Sequence, residues 1–246
     1  MSAPTISLVI VDTDCHVLAN EAVQTSMKRF KFNDVLIFSD RTDVWNNLKV
    51  KQIDQIKDID FYNRFCIHEL HKHVKTTHAL VIQFDGFILN PQEWSPMFLH
   101  YDYIGAPWPK ENHGEYNVGN GGFSLRSKKL MDAVTEYPYD YFGNVPEDIH
   151  IAQRLRPKLE KLHDVHFPDQ SIASHFSAES YIYRYPTFGF HNIRFLPLVY
   201  RDRLDFMIDN LSDRVVKTHT HLILPNLMSV SQTHGHKLME RMGKLK

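Results

Sequence analysis

The chain has 246 residues, of which 43% are hydrophobic and 12% aromatic, and its formal net charge is -1. This composition can bury a sizeable core, and the charge balance gives no reason to expect a nucleic acid or an anionic membrane as partner. Two cysteines, Cys15 and Cys66, are too few for a disulfide framework and lack metal-ligand spacing.

The first sixty residues alternate between strand and helix signals. Residues 6–11 form a β-branched run, residues 21–30 have a helical pattern, and residues 35–38 form a second apolar run. This order predicts a βαβ unit whose right-handed crossover places both strand ends at one edge of a parallel sheet. The polar groups at these ends, which suit a base or a ribose, include Asp12, Ser39, Asp40 and Arg41.

The third predicted strand ends at an aspartate. A helix over residues 62–75 leads into the apolar residues 79–82, and Gln83, Phe84, Asp85 and Gly86 follow. Ligands bind where the strands of open α/β sheets end, and hydrogen bonding or metal ligation makes a charge tolerable beside a core. The alternative is that Asp85 only caps the turn before Gly86. The spacing predicts an α/β fold with a mixed, mainly parallel sheet flanked by helices.

Beyond residue 90 the chain is rich in proline and aromatic residues, and helices are predicted over residues 128–136 and 148–161. Trp108 stands between two prolines, which predicts an aromatic platform on a loop. Tyr101 and Tyr103 are predicted to pack in the core.

Three glycines stand within residues 119–123, and an acidic pair follows at residues 147 and 148. Gly121 and Gly122 let the backbone approach a ligand closely or take a positive φ, and the alternative is a tight hairpin turn. Arg126 is predicted to be a solvated strand residue, with phosphate as the alternative partner. Glu147 and Asp148 follow Pro146, a pattern typical of a helix start, so capping competes with a catalytic role for these acids.

The ordered motifs carry a resemblance to a family. QFDGF, YDYIGAPW, GNGGFSLRS, PED and FGFH stand in this order in the sequence. The set resembles an uncharacterised family of glycosyltransferase domains with the GT-A fold, whose sheet is Rossmann-like. It is also similar to fringe-like and galactosyltransferase-like GT-A enzymes. The resemblance covers roughly residues 7–191.

The resemblance implies roles for particular residues. Asp85 and His191 would hold Mn²⁺ or Mg²⁺, and a histidine ligand favours Mn²⁺. Gln83 stands where the family has a first aspartate, and it would bind ribose or a metal-bound water. Asp148 would be the general base, with Glu147 orienting the acceptor or the backbone. The residues implied in binding the nucleotide-sugar donor are Asp12, Ser39, Asp40, Arg41, Gln83, Asp85, Gly121 and Gly122.

The implied function is metal-dependent, inverting transfer of a sugar from a nucleotide-diphosphate sugar to a hydroxyl of a glycan acceptor. This is a hexosyltransferase-type activity in polysaccharide biosynthesis, and it implies association with other glycan-assembly enzymes. One alternative is a catalytically silent carbohydrate-binding or scaffold domain, which Gln83 favours. The other is a sugar-phosphate nucleotidyltransferase, which is disfavoured because no Gly-rich loop with Lys or Arg follows the first strand.

The sequence predicts neither a membrane span nor a secretion signal. No apolar run approaches the roughly 20 residues that span a bilayer, and the N-terminal residues lack the basic region of a signal peptide. We therefore expect a cytoplasmic protein with no transmembrane segment. A single domain is predicted over residues 1–246, with 218–246 as an appended helix.

Overall fold

The structure, a computed structural model, describes residues 4–139, 145–181, 183 and 185–245. The first three residues and Lys246, which belong to the predicted domain, lie outside the described residues. The strands are β1 (Ile6–Val11), β2 (Asp34–Ser39), β3 (Val50–Gln52), β4 (His78–Ile82), β5 (Tyr103–Ile104), β6 (Ala106–Pro107), β7 (Val118–Gly119), β8 (Phe123–Ser127), β9 (Ser177–Ala178) and β10 (Gly189–Phe190).

The helices surround these strands. The α-helices are α1 (His16–Arg29), α2 (Ile59–Arg64), α3 (Leu70–His73), α4 (Lys110–His113), α5 (Lys128–Val134), α6 (Glu147–Ile149), α7 (Arg156–His163), α8 (Gln170–Phe176), α9 (Leu196–Val199), α10 (Leu204–Asn210), α11 (Asp213–Val230) and α12 (Gln232–Lys244). Two π-helical segments, Phe65–Glu69 and His150–Leu155, join α2 to α3 and α6 to α7. Short 3-10 helices cover Pro91–Glu93, Pro96–His100 and Ile193–Phe195.

A six-stranded sheet in the order β3-β2-β1-β4-β8-β5 lies at the centre. Strands β3, β2, β1 and β4 are parallel, whereas β8 runs antiparallel to β4 and β5 antiparallel to β8. The predicted fold class, a mixed and mainly parallel sheet flanked by helices, is confirmed. Because Ile82 of β4 is paired with Phe123 of β8, the residues just before β8 meet the carboxyl ends of β1 and β4.

The sheet is buried on both faces. Leu8 and Ile10 of β1 pack into the larger core cluster together with α1 and the C-terminal helices, while Val9 and Val11 pack against the helix that begins at Ile59. A strand that is covered on both sides needs a continuous apolar run, which is why β1 is recognisable in the sequence.

Several predicted elements differ from the observed ones at their ends. The first strand has the predicted bounds, and the parallel pairing of β1 with β2 confirms the βαβ unit. The helix predicted over residues 21–30 begins earlier, at His16. Residues 218–246, predicted to form an appended helix, contain most of α11 and all of α12. Within the described ranges, no helix is long and apolar enough to cross a membrane.

Candidate functional site

A cavity of about 390 Å³ lies at the carboxyl ends of β1 and β4. Its walls come from the loop after β1, from residues 56–62, from the turn after β4, from the segment after β10 and from α11. This is the place where open α/β sheets bind ligands. The polar side chains that line it are Asp12, Thr13, Asp14, Asp58, Tyr62, Gln83, Asp85, His191, Arg214 and His219.

Asp85 lies at the tip of a tight turn. Gln83 and Gly86 exchange two backbone hydrogen bonds of 3.0 Å, so the chain reverses over Phe84 and Asp85 immediately after β4. The Asp85 side chain is buried, and its Oδ1 has no hydrogen-bond partner among the described residues. A buried carboxylate oxygen without a donor is costly unless a cation or a ligand satisfies it.

His191, which directly follows β10, lies beside Asp85. Its backbone N–H donates to Ala178 (2.9 Å), and the N–H of Asn192 donates to the carbonyl of Asp85 (3.1 Å), which fixes the segment after β10 against the turn. The His191 Nε2 atom lies 3.5 Å from Asp85 Oδ1. Burial lowers the pKa of His191, but the charges of Asp85 and Glu179 outweigh it and raise the pKa to about 10.

Two side chains hold the imidazole ring of His191 in place. Gln83 Oε1 lies 3.1 Å from Nε2, and the Nε2 of Gln83 donates to the hydroxyl of Tyr62 (2.8 Å). On the other side of the ring, the Asn120 amide nitrogen lies 2.9 Å from His191 Nδ1. The oxygen of the same amide accepts from the N–H groups of Gly122 and Phe123, so the loop before β8 orients the ring.

The donor set fits a divalent cation that shares its coordination with a bound molecule. The described residues contain no group of three or more His, Cys, Asp or Glu side chains that could hold a metal ion by itself. Asp85 Oδ1 and His191 Nε2 lie 3.5 Å apart as a carboxylate–imidazole pair, and a cation bound there would take the place of the imidazole proton. A carboxylate with an imidazole suits Mn²⁺, and an anionic ligand would supply the remaining oxygens.

The glycine pair lets the loop before β8 pass between two parts of the site. A Cβ on Gly122 would lie 2.3 Å from the His191 ring, and a Cβ on Gly121 would lie 1.9 Å from Glu147 Oε1. Neither glycine has a positive φ; in this loop it is Asn120 that does, at 72°. Close approach, rather than the conformation of a hairpin turn, therefore requires glycine at both positions.

We expect Gly122→Ala to lower the free energy of unfolding by about 1–3 kcal/mol, because the new methyl group must push against the His191 ring and Gln83 Oε1. Urea denaturation of both proteins measures the difference. The matched control is Gly243→Ala in α12, where a Cβ meets nothing within 4 Å. A loss in Gly122→Ala no larger than the change in the control would contradict this explanation.

Asp148 lies beside the same loop, at the start of α6. Its Oδ2 accepts from the N–H of Gly121 (3.0 Å) and its Oδ1 accepts from its neighbour Ile149 (2.8 Å). Burial raises the pKa of Asp148 to about 6, the charge of Glu147 adds to this, and the two N–H groups act in the opposite direction. A carboxylate with a pKa near neutrality is suited to accept a proton at physiological pH.

Glu147 and Arg126 form a buried ion pair, with 2.8 Å between Glu147 Oε1 and an Arg126 guanidinium nitrogen. The Arg126 side chain is 1% exposed, and it also donates to the Gly121 carbonyl and to Ser124 Oγ. Both sequence-based interpretations of Arg126 are wrong, since it is neither solvated nor placed on the cavity wall. The residue pattern of β8 could not reveal that the partner of Arg126 is Glu147 on α6.

A family model described as "Protein of unknown function (DUF5672)" matches residues 45–191. The chain belongs to the DUF5672 family. The matched residues include Asp85, the glycine pair, Glu147, Asp148 and, as the last position, His191. In the DUF5672 fold these residues, which are scattered along the sequence, come together around the loop before β8.

Solved structures similar to this DUF5672 chain include mannosyltransferase PcManGT from Pyrobaculum calidifontis in complex with GDP-Man and Mn²⁺. It is 8% identical, with 100% of this chain and 81% of that chain covered and a TM-score of 0.46. Glucosyl-3-phosphoglycerate synthase from Mycobacterium tuberculosis, in complex with Mn²⁺, UDP-Glc and glycerol 3-phosphate, is 11% identical, with 68% and 82% covered and a TM-score of 0.40. No curated protein matches the chain.

Two of the eight predicted donor-binding residues of this DUF5672 protein, Gly121 and Gly122, lie in the loop before β8 and do not line the cavity. The other six fall into two groups. Asp12, Gln83 and Asp85 line the cavity. Ser39, Asp40 and Arg41 do not, because Asp40 is bonded to His16 (2.7 Å), Arg41 is paired with the exposed Asp43, and Ser39 is fully buried. The loop after β2 therefore turns away from the cavity.

Trp108 does not form the predicted platform. It is buried, its ring stacks on His113 with 4.6 Å between centroids, and the backbone of Gly119 packs against it. Tyr103 is fully buried, as predicted, and its hydroxyl donates to the Asn120 carbonyl.

The sequence analysis missed several residues of the site. Arg214 and His219 of α11 lie beyond the DUF5672 match and line the cavity, and Arg214 is paired with Asp14 (2.7 Å). Glu179 lies 3.9 Å from His191 Nδ1. No local pattern marks these positions, because the fold alone brings α11 and the segment after β9 back to the sheet edge.

Proposed function

We propose that this protein is a glycosyltransferase that moves a sugar from a nucleotide-diphosphate sugar to a hydroxyl of a glycan acceptor. The observation that carries the proposal is the Asp85–His191 pair, which lies on the wall of a 390 Å³ cavity at the carboxyl ends of β1 and β4. The order of the motifs in the sequence supports the same activity on a GT-A-like fold.

The donor occupies the cavity in this proposal. Asp85 and His191 would hold Mn²⁺ or Mg²⁺, and a bound cation would supply neutralisation of the negative charge on the departing diphosphate. Arg214 and His219 add cationic or hydrogen-bonding groups on the opposite element, α11. Asp12 and Thr13, at the end of β1, offer oxygen atoms to ribose hydroxyls. Gln83 orients the His191 ring, and it does not supply the second carboxylate that an aspartate at this position would.

The acceptor approaches from the side of Asp148. In a direct displacement, the acceptor oxygen forms a bond to the anomeric carbon while the bond from that carbon to the diphosphate oxygen breaks. The hydroxyl proton passes to the Asp148 carboxylate, whose pKa is raised to about 6. A single displacement of this kind inverts the anomeric centre.

A thermal-shift screen tests the donor site. We expect one class among UDP, GDP, CMP and dTDP sugars to raise the melting temperature in the presence of Mn²⁺. The expected shift is about 5–10 °C at a ligand concentration about 100 times Kd, since only the folded state binds the ligand. Asp85→Asn should abolish the part of the shift that depends on Mn²⁺.

The control for this screen is Asp54→Asn, which changes an exposed carboxylate outside the cavity lining and should respond like the wild type. Absence of any shift for all four nucleotide classes in the wild type would count against the proposal. A shift that Asp85→Asn leaves intact would refute the assignment of Asp85.

A second candidate function is a catalytically silent carbohydrate-binding domain. Gln83 favours it, because an amide replaces the first acid of the metal motif and is already engaged by Tyr62 and His191. Such a domain would bind saccharides without responding to any sugar nucleotide, so the same screen separates the two candidates.

A further inference from the structure

Three tyrosines alternate along the segment that leads to β10. Tyr181, Tyr183 and Tyr185, here called the tyrosine strip, stand two residues apart. The rings of Tyr183 and Tyr185 are stacked, with 5.2 Å between centroids and 10° between planes. Tyr185 is also stacked on His175, at 4.6 Å and 22°. The result is a stack of three nearly parallel rings.

Two members of the tyrosine strip are exposed, and Tyr183 between them is half-buried. Tyr181 is 45% exposed and Tyr185 is 38% exposed. The Tyr185 hydroxyl donates to Ser174 Oγ (2.6 Å), which fixes that ring at the surface. A rigid, open aromatic face loses little conformational freedom when it binds a ligand.

Glu179 connects the tyrosine strip to the site. Its Oε1 lies 3.9 Å from His191 Nδ1, and its Oε2 is buried without a hydrogen-bond partner among the described residues. The charge of Glu179 also contributes to the raised pKa of Asp148 and of Tyr183. Glu179 therefore offers a hydrogen-bond acceptor that contacts His191 of the site and lies two residues before Tyr181 of the tyrosine strip.

We propose that the tyrosine strip and Glu179 form the acceptor subsite, which takes a pyranose of a saccharide. The sugar ring would lie with its C–H groups on the Tyr183 face while its hydroxyls donate to Glu179. This inference rests on the proposed function, because it assigns the acceptor of that same reaction. It gives the platform role to these tyrosines and not to the buried Trp108.

Charge favours a saccharide over a phosphate-bearing ligand at this place. Glu179 and Asp148 are both carboxylates on this side of the site, and they would repel a phosphate group. A neutral ring with many hydroxyls satisfies carboxylate oxygens and covers aromatic surface at the same time.

Saturation-transfer difference NMR tests the subsite. The probes are the methyl glycosides of glucose, galactose, mannose and N-acetylglucosamine. Each glycoside is added at millimolar concentration to the full chain. We expect at least one glycoside to receive saturation, most strongly at the ring protons of one face. Tyr183→Ala should weaken its binding by about three- to tenfold, while Tyr183→Phe, which keeps the ring, should bind like the wild type. Leu162→Ala, at an exposed apolar position on α7, is the control.

The nucleotide screen run on the same variants separates this inference from the proposed function. Nucleotide binding with no glycoside binding would overturn the subsite and leave the transferase proposal standing. Glycoside binding that is equal in the wild type, Tyr183→Ala and Glu179→Gln would also overturn it. Loss of nucleotide binding in Tyr183→Ala would assign the tyrosine strip to the donor base instead. Glycoside binding that needs Tyr183, without any nucleotide response, would refute the transferase and with it the acceptor role, and it would support the second candidate, a carbohydrate-binding domain.

Discussion

Replacement of Asp148 by asparagine is expected to lower kcat by about 10²–10⁴-fold while nucleotide binding remains unchanged. The carboxylate accepts a hydrogen bond from the Gly121 N–H, and it is not part of the cavity wall. The amide has the same size but cannot take up the hydroxyl proton of the acceptor. Release of the nucleoside diphosphate measures turnover, and the thermal shift measures donor binding on the same samples.

The pH dependence of the wild type supplies a second test of the base. Burial raises the pKa of Asp148 to about 6, so the basic form is lost as the pH falls through that value. The rate should therefore decline below about pH 6 and level off above it. Asp164→Asn, at an exposed position with a left-handed backbone that asparagine tolerates, is the control and should keep the wild-type profile. A low-pH limb that persists unchanged in the residual activity of Asp148→Asn would exclude Asp148 as the titrating group.

The elements of this fold are recognisable from local sequence where burial is uniform. β1 has the predicted bounds because every residue in it is buried and apolar or small. The start of α1 is not recognisable, because Cys15 makes no side-chain cap and the first turn has no acidic residue. At α2, by contrast, Asp58 accepts from Phe61 N, a capping signal that the sequence contains and that the predicted range 62–75 overlooked.

The site residues were predictable only where they lie next to the end or the start of a buried strand, since ligands bind at the carboxyl ends of strands in open α/β sheets. Asp85 comes directly after a buried strand, and the glycine pair comes directly before another, so topology alone brings them to one edge. The loop after β2 obeys the same rule, yet the Asp40–His16 contact and the buried Trp45 direct it away. The contribution of α11 depends on packing between distant parts of the chain, which no periodicity encodes.

Glu147, the residue before Asp148, is expected to contribute to stability rather than to the chemical step. Glu147→Ala should lower the free energy of unfolding by about 3–5 kcal/mol, because it leaves the guanidinium of Arg126 buried without its counter-ion. Urea denaturation followed by circular dichroism, with the slope m checked for constancy, gives the value. The control is Glu160→Ala, which breaks the partly exposed Arg156–Glu160 pair and should cost less than about 1 kcal/mol.

A double substitution distinguishes loss of an ion pair from loss of packing. Arg126→Met combined with Glu147→Leu removes both charges, so it should recover much of the stability that Glu147→Ala loses. A loss below about 1 kcal/mol in the single variant would contradict the buried-pair explanation. Glu147 Oε1 is bonded to Arg126, whereas the hydrogen bonds of Asp148 within the described part of the chain come from backbone N–H groups, so one experiment should distinguish the roles of the two neighbours. Activity lost in Glu147→Ala should follow the unfolded fraction as temperature rises, whereas Asp148→Asn should be inactive while still folded.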